Sequence, residues 1–273
     1  MSKHLETKRL TIPALTARKH GEKIVCLTAY TAPVAALLDP HVDLLLVGDS
    51  VGMVMHGLPN TVGVTLDMMI LHGRAVIRGA SRAVVVVDLP FGSYEESPQL
   101  AFRSAARVMQ ETGCHAIKVE SGESIAETIA FLVQRGIPVL GHVGLRPQAT
   151  NVDGGFKAKG RTAAEWERVL AEARATERAG AFAVVVEGVS ADLAVEITQE
   201  LAIPTIGIGA SPECDGQILV TDDMLGMFDW TPKFVRRYAN LREAIGAAAA
   251  SYARDVRTGE FPAQAELYWL RPR

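Results

Sequence analysis

The chain is organised by a recurring unit. A short apolar run ends in a polar or glycine residue, and a segment of helical periodicity follows. The runs are KIVCLTAY (23–30), VDLLLVGDS (42–50), AVVVVDLP (83–90), AIKVES (116–121), PVLGHVG (138–144), AFAVVVEGV (181–189) and PTIGIGA (204–210), with QILV (217–220) as a weaker eighth. Continuous rather than alternating apolar character suits strands buried on both faces, as in a parallel sheet. Helical patterns cover 65–79, 97–112, 123–135, 162–179 and 191–201, and 233–256 has the pattern of a C-terminal helix. Ser97-Pro98 has the form of an N-cap followed by proline at the first helical position. Thr162 and Glu165 have capping-box spacing, and Gly113, Gly136 and Gly180 stand where helices should stop. Seven or eight β-α units predict a (β/α)8 barrel, with a doubly wound open sheet as the alternative. No repeat or linker divides the 273 residues. They are expected to form one barrel domain over 1–273, with 1–20 as an N-terminal extension and 232–273 as C-terminal helix and tail.

The net charge of −3 gives no global positive field, so neither nucleic acid nor an anionic membrane is an expected partner. Cys26, Cys114 and Cys214 are odd in number, far apart and outside any C-x-x-C pair. That argues against a disulfide framework or zinc ribbon and for a reducing compartment. The N-terminal stretch lacks an apolar signal-peptide core, and no apolar run nears the roughly 18 residues that span a bilayer. A cytoplasmic protein is the expectation.

In a barrel, the strand ends at the carboxyl face carry the chemistry. Here those ends hold Asp49 and Ser50, Asp88, Lys118 and Glu120, His142, and Glu187. Singly, each has a bland explanation: an acid capping the next helix, a turn serine, a satisfied interior histidine. Together they place four carboxylates and one lysine on one rim. Lys118 and Glu120, two residues apart, share a strand face. Unpaired charges in such apolar runs would cost several kcal/mol. A divalent cation would neutralise the excess acid, and oxygen donors favour Mg²⁺ over zinc. No histidine pair has zinc-motif spacing. Gly207-Ile208-Gly209 is not a dinucleotide fingerprint, because Pro212 stands where the third glycine belongs. The polar segment 145–161 after the fifth run is either an active-site lid or a surface loop.

Taken in order, LTAY (27–30), VGDSVGMVMHG (47–57), DLPFGSY (88–94), IKVE (117–120), GHVGLRPQ (141–148), GGFKAKGR (154–161), VVVEGV (184–189), IPTIGIGA (203–210), DGQILV (215–220) and TPKFVRRYANL (231–241) resemble the ketopantoate hydroxymethyltransferase family. The resemblance runs from about residue 20 to about residue 265. It implies a barrel of the phosphoenolpyruvate/pyruvate type, assembled as a homodecamer. It implies a folate-dependent transferase of pantothenate and coenzyme A biosynthesis, in which 5,10-methylenetetrahydrofolate and 3-methyl-2-oxobutanoate give 2-dehydropantoate. It also implies Mg²⁺ on Asp49 and Asp88 with Glu120 in its surroundings, keto-acid contacts from Asp49, Ser50, Asp88 and Lys118, Glu187 as the proton acceptor, and His142 near the substrate. Thr31, Arg146, Asp153 and Ser211-Pro212 depart from the family's usual residues. Arg146 and Lys157 are candidates to hold an acidic folate tail, against the plainer reading of solvated loop charges. A lyase or mutase of the same barrel class would need a catalytic cysteine or a phosphonate-handling loop, and Cys114 falls on the amino side of its strand. A metabolite-binding protein without turnover is the non-enzymatic alternative.

Overall fold

All eight runs become strands in a computed structural model that describes residues 9–269. They are β1 (Ile24–Thr28), β2 (Leu44–Val47), β3 (Val84–Asp88), β4 (Ala116–Lys118), β5 (Val139–Gly144), β6 (Ala183–Glu187), β7 (Thr205–Ile208) and β8 (Gly216–Leu219). Each pairs in parallel with the next, and β8 pairs with β1, so the sheet closes. Parallel neighbours need crossover connections. After α1 (Ile12–Thr16), which precedes β1, these are α2 (Ala32–Leu38), α3 (Val51–Val54) and α4 (Leu66–Gly79), α5 (Pro98–Thr112), α6 (Ala126–Val133), α7 (Thr150–Asp153) and α8 (Ala163–Arg178), and α9 (Ala191–Glu200). The β7–β8 connection has no helix. Its Ser211 hydroxyl accepts from the Glu213 N–H, and its carbonyl accepts from Gln217.

Strand parity decides which residues face the barrel axis. Ile24, Cys26, Leu44, Leu46, Val84, Val86, Ala116, Leu140, Ala183, Val185, Ile206, Ile208 and Ile218 form one core cluster to which all eight strands contribute. The alternate residues Leu45, Val47, Val85, Val87, Val184 and Val186 pack in two other clusters with helical residues. Successive side chains point to opposite faces of a strand. Extending the inward parity by one step places Asp88, Lys118, His142 and Glu187 inside the barrel, at the carboxyl ends of their strands.

Residues 10–20 pack into the barrel rather than standing apart from it. Leu15 belongs to the interior cluster, with Leu10 and Ile12 packed on it. Beside it, Asp215 accepts from Lys19 Nζ at 2.9 Å and from the His20 N–H at 2.8 Å. The helix starts follow the sequence signals. Thr31, Thr65, Ser97 and Thr162 each cap a helix with the side chain. The Glu165 carboxylate, however, accepts from the Arg161 N–H rather than completing the capping box on Thr162.

Residues from Thr221 onward form a second compact unit. It holds α10 (Thr221–Met224) and α11 (Leu241–Thr258). The helix expected over 233–256 therefore begins eight residues late. The cause is competition for backbone donors: the Tyr238, Leu241 and Arg242 N–H groups bond to the carbonyls of Met224, Leu225 and Gly226.

Candidate active site

The carboxyl mouth of the barrel gathers the polar side chains that parity turns inward. Asp88 and Lys118 are register partners on adjacent strands. Both Asp88 oxygens lie 2.9 Å from Lys118 Nζ, and the pair is buried. Asp49 follows β2, and its N–H donates to Asp88 Oδ2 at 3.1 Å. Burial alone would depress the Lys118 ammonium, but Asp88 and Asp49 outweigh it and hold the group above its ordinary value. Asp49 shifts the other way: burial first, then the charge of Asp88, pushes its carboxyl upward. Next to Asp49, Ser50 shares a 2.8 Å hydrogen bond with the Tyr30 hydroxyl.

On the far wall, His142 Nε2 lies 3.2 Å from Glu187 Oε2. The two would pair as ions only with the ring protonated, and the contact is off-line for a hydrogen bond, so neither ring nitrogen of the buried His142 has an aligned partner. Desolvation lowers the imidazole's pKa despite Glu187, which favours the neutral ring. The Glu187 side chain is 19% exposed, against 2% for His142. It is the more accessible of the two to a ligand entering the mouth.

Glu120 joins the cluster indirectly. Its carboxylate accepts from the Gln148 N–H at 2.8 Å, and its own N–H donates to the Tyr94 hydroxyl at 3.2 Å. Burial raises its pKa to about 8. Among the described residues, no three or more His, Cys, Asp or Glu side chains are gathered as a ready metal shell. The chemistry of the donor set nonetheless suits a hard dication. Four carboxylates face one ammonium, and burial, with the neighbouring acids adding to it, raises Asp49 and Glu120.

Sequence reasoning did not single out Gln148, Tyr94 or Tyr30. Gln148, in a 3-10 turn after β5, and Tyr94, in the loop after β3, have no strand parity to mark them; both are buried, and both close stretches that match the family, GHVGLRPQ and DLPFGSY. Arg146 turns inward to the Ser121 carbonyl and toward Glu172. Lys157, in contrast, lines a cavity of about 620 Å³ with Phe156, Lys159 and Arg161. Asp153 also lines it and pairs with Lys159 at 2.9 Å. Cys114 is buried before β4, and burial pushes its thiol up to about 11, so it offers no nucleophile at the mouth.

A family model for ketopantoate hydroxymethyltransferase matches residues 9–264. The chain belongs to this family. A 3-methyl-2-oxobutanoate hydroxymethyltransferase of Phenylobacterium zucineum (strain HLK1) is 68% identical over 273 residues, covering 99% of each chain. One from Caulobacter vibrioides (strain NA1000 / CB15N) is 64% identical over the same coverage. Among solved structures, 2,3-dimethylmalate lyase, a member of the PEP mutase/isocitrate lyase superfamily, aligns with a TM-score of 0.60 at 17% identity, over 95% of this chain and 92% of that one. Phosphonopyruvate hydrolase in complex with oxalate and Mg²⁺ aligns with a TM-score of 0.60 at 17% identity, over 96% and 93%. At such identity these structures show that this chain shares their barrel fold, and no more.

Proposed function

We propose that this chain transfers a hydroxymethyl group from 5,10-methylenetetrahydrofolate to 3-methyl-2-oxobutanoate, giving 2-dehydropantoate. Family membership supports the reaction. The observation that carries the residue assignment is the inward convergence of Asp49, Asp88, Lys118, His142 and Glu187 on one barrel mouth. Glu187 takes the proton from C3 of the keto acid. Neutral His142 stands beside Glu187 and the substrate. Lys118 supplies positive charge to the substrate carboxylate or to the developing oxyanion. Ser50 and the Asp49–Asp88 pair position the keto acid. Asp49 and Asp88, with Glu120 in the surroundings, would hold Mg²⁺, which when bound supplies a Lewis acid for the α-keto acid oxygens. The C3 electron pair then forms a bond to the donor's methylene carbon. Both of that carbon's C–N bonds break, water supplies the hydroxyl, and the C3 proton and the remaining water proton pass to the two nitrogens of the departing tetrahydrofolate.

The same reading places the enzyme in the cytoplasm as a homodecamer acting on small molecules. Three buried, unpaired cysteines suit a reducing compartment. Among the described residues, no helix is long and apolar enough to cross a membrane.

Deuterium exchange at C3 of 3-methyl-2-oxobutanoate, in heavy water with Mg²⁺, isolates proton abstraction from folate chemistry. The wild type should exchange. Glu187→Gln should fold, bind the keto acid and exchange roughly 10²–10⁴-fold more slowly. Equal rates would move the base assignment to another residue, with His142 next.

A further inference from the structure

Every polar hydrogen along one path through the mouth has a fixed direction. The path starts at the Glu120 N–H, which can only donate, and does so to the Tyr94 hydroxyl at 3.2 Å. Tyr94 thus spends its oxygen as acceptor there and gives its proton to Gln148 Oε1 at 2.7 Å. With Oε1 engaged, the Gln148 amide nitrogen faces two acceptors, Asp49 Oδ2 at 2.8 Å and the Leu89 carbonyl at 3.0 Å. The Leu89 carbonyl can only accept, so the amide nitrogen must face it and the amide has one workable orientation. The Gln148 backbone N–H returns to Glu120 Oε1 at 2.8 Å. Gln148 and Tyr94 are both buried, which makes each unmet group costly and the relay all-or-none.

We propose that Gln148 is a positioning residue: a one-way relay from Glu120 through Tyr94 and Gln148 fixes the Asp49 carboxylate and ties the loop after β5 to it. The four residues come from segments after β2, β3, β4 and β5. Asp49 is therefore aimed by the same residue that anchors the start of the 145–161 segment. The loop and the carboxylate can then only be displaced together. The relay's link to metal capture rests on the function proposed above.

Gln148→Leu removes the donors at similar volume. Tyr94→Phe removes only the middle hydroxyl and is the milder variant should Gln148→Leu fail to fold. In the metal-free protein, the Gln148 side-chain amide protons, assigned by their loss in Gln148→Leu, should exchange slowly with solvent by NMR. They should exchange at least tenfold faster in Tyr94→Phe. With Mn²⁺ as the probe, spin-resonance titration should show affinity weakened about 10–100-fold in Gln148→Leu and less in Tyr94→Phe, the usual range for partners that orient a metal ligand. C3 exchange by Gln148→Leu should recover to within a few-fold at saturating Mn²⁺, which a general loss of structure would not allow. Adding Tyr94→Phe to Gln148→Leu should change the affinity no further. Unchanged Mn²⁺ affinity in folded Gln148→Leu overturns the proposal, as does amide exchange that Tyr94→Phe leaves unmoved. A wild type that binds Mn²⁺ without exchanging C3 would overturn the functional reading instead, leaving the relay to be judged on amide exchange and affinity.

Discussion

Lys118 occupies the place a metal's charge would otherwise have to fill alone. Its ammonium sits 2.9 Å from both Asp88 oxygens in a buried pocket, with Asp49 one hydrogen bond away. Removing one partner of such a pair leaves an uncompensated buried charge, which costs more than the pair itself contributes. Lys118→Met should therefore destabilise the metal-free protein by roughly 3–5 kcal/mol. Mg²⁺ should raise the melting temperature of the variant by more than it raises that of the wild type, because the ion supplies the charge the variant lacks. Thermal unfolding with and without Mg²⁺ checks both halves. Equal shifts would mean that Asp88 does not face the ion. The inward-facing polar residues at the strand ends were legible in the sequence because strand parity is legible: Asp88, Lys118, His142 and Glu187 each lie two residues beyond an inward aliphatic residue. Gln148 and Tyr94 were not, because a loop has no period and burial there depends on contacts between distant segments.

Strand positions were read well for the same reason, and boundaries less well. AVVVVDLP yields β3 at Val84–Asp88, but AIKVES yields only Ala116–Lys118. Beyond Lys118 the chain stays bonded to β5, since the Val119 N–H donates to Leu140 and the Ser121 N–H to the His142 carbonyl. On its other side, the Glu120 N–H is claimed by a side chain, Tyr94. The late start of α11 has a similar cause, backbone donors captured by another segment. At the end of β5, Gly144 shows what the element demands of its residue. Its φ is +94°, and an added Cβ would lie 2.3 Å from the Glu187 carbonyl oxygen. Glycine alone tolerates both the positive φ and that approach. Gly144→Ala should push β6 away at Glu187, lowering C3 exchange at least about tenfold, in line with the cost of misplacing a reacting group by about 1 Å. The measurement is exchange rate beside circular dichroism. A folded variant with wild-type exchange would show that β6 tolerates the displacement.

At the scale of the molecule, two buried aspartates brace the barrel away from its mouth. Burial would raise Asp39, but N–H groups of Ala83, Ser81 and Arg82 and the Ser81 hydroxyl outweigh it and lower its pKa. Asp215 is likewise lowered, against burial, by the N–H groups of Thr205 and His20 and by Lys19. A carboxylate depressed on folding contributes stability that is full above its unfolded value, near 3.8 here, and is lost as pH falls through the folded value. Asp39→Asn should lower the melting temperature at pH 7 and flatten its decline below pH about 4. A parallel decline in both proteins would discount Asp39.

The second unit makes a different demand. α11 has 18 residues and none of them is buried. Helices draw most of their stability from packing an apolar face. Ile245, Tyr252 and Val256, spaced by seven and four, put such a face on one side of α11, and they are 53%, 58% and 47% exposed. Trp230 and Tyr238 add exposed aromatics in the same unit. Exposed apolar side chains in a row along an unburied helix suit an interface, and a second copy of the chain is the partner that fits the proposed decamer. Light scattering should then give about ten times the 29.3 kDa of one chain. The double variant Ile245→Asp, Tyr252→Asp should give a smaller particle that still folds and still exchanges C3. A wild-type mass of one chain at working concentration would remove both the decamer and this role for α11.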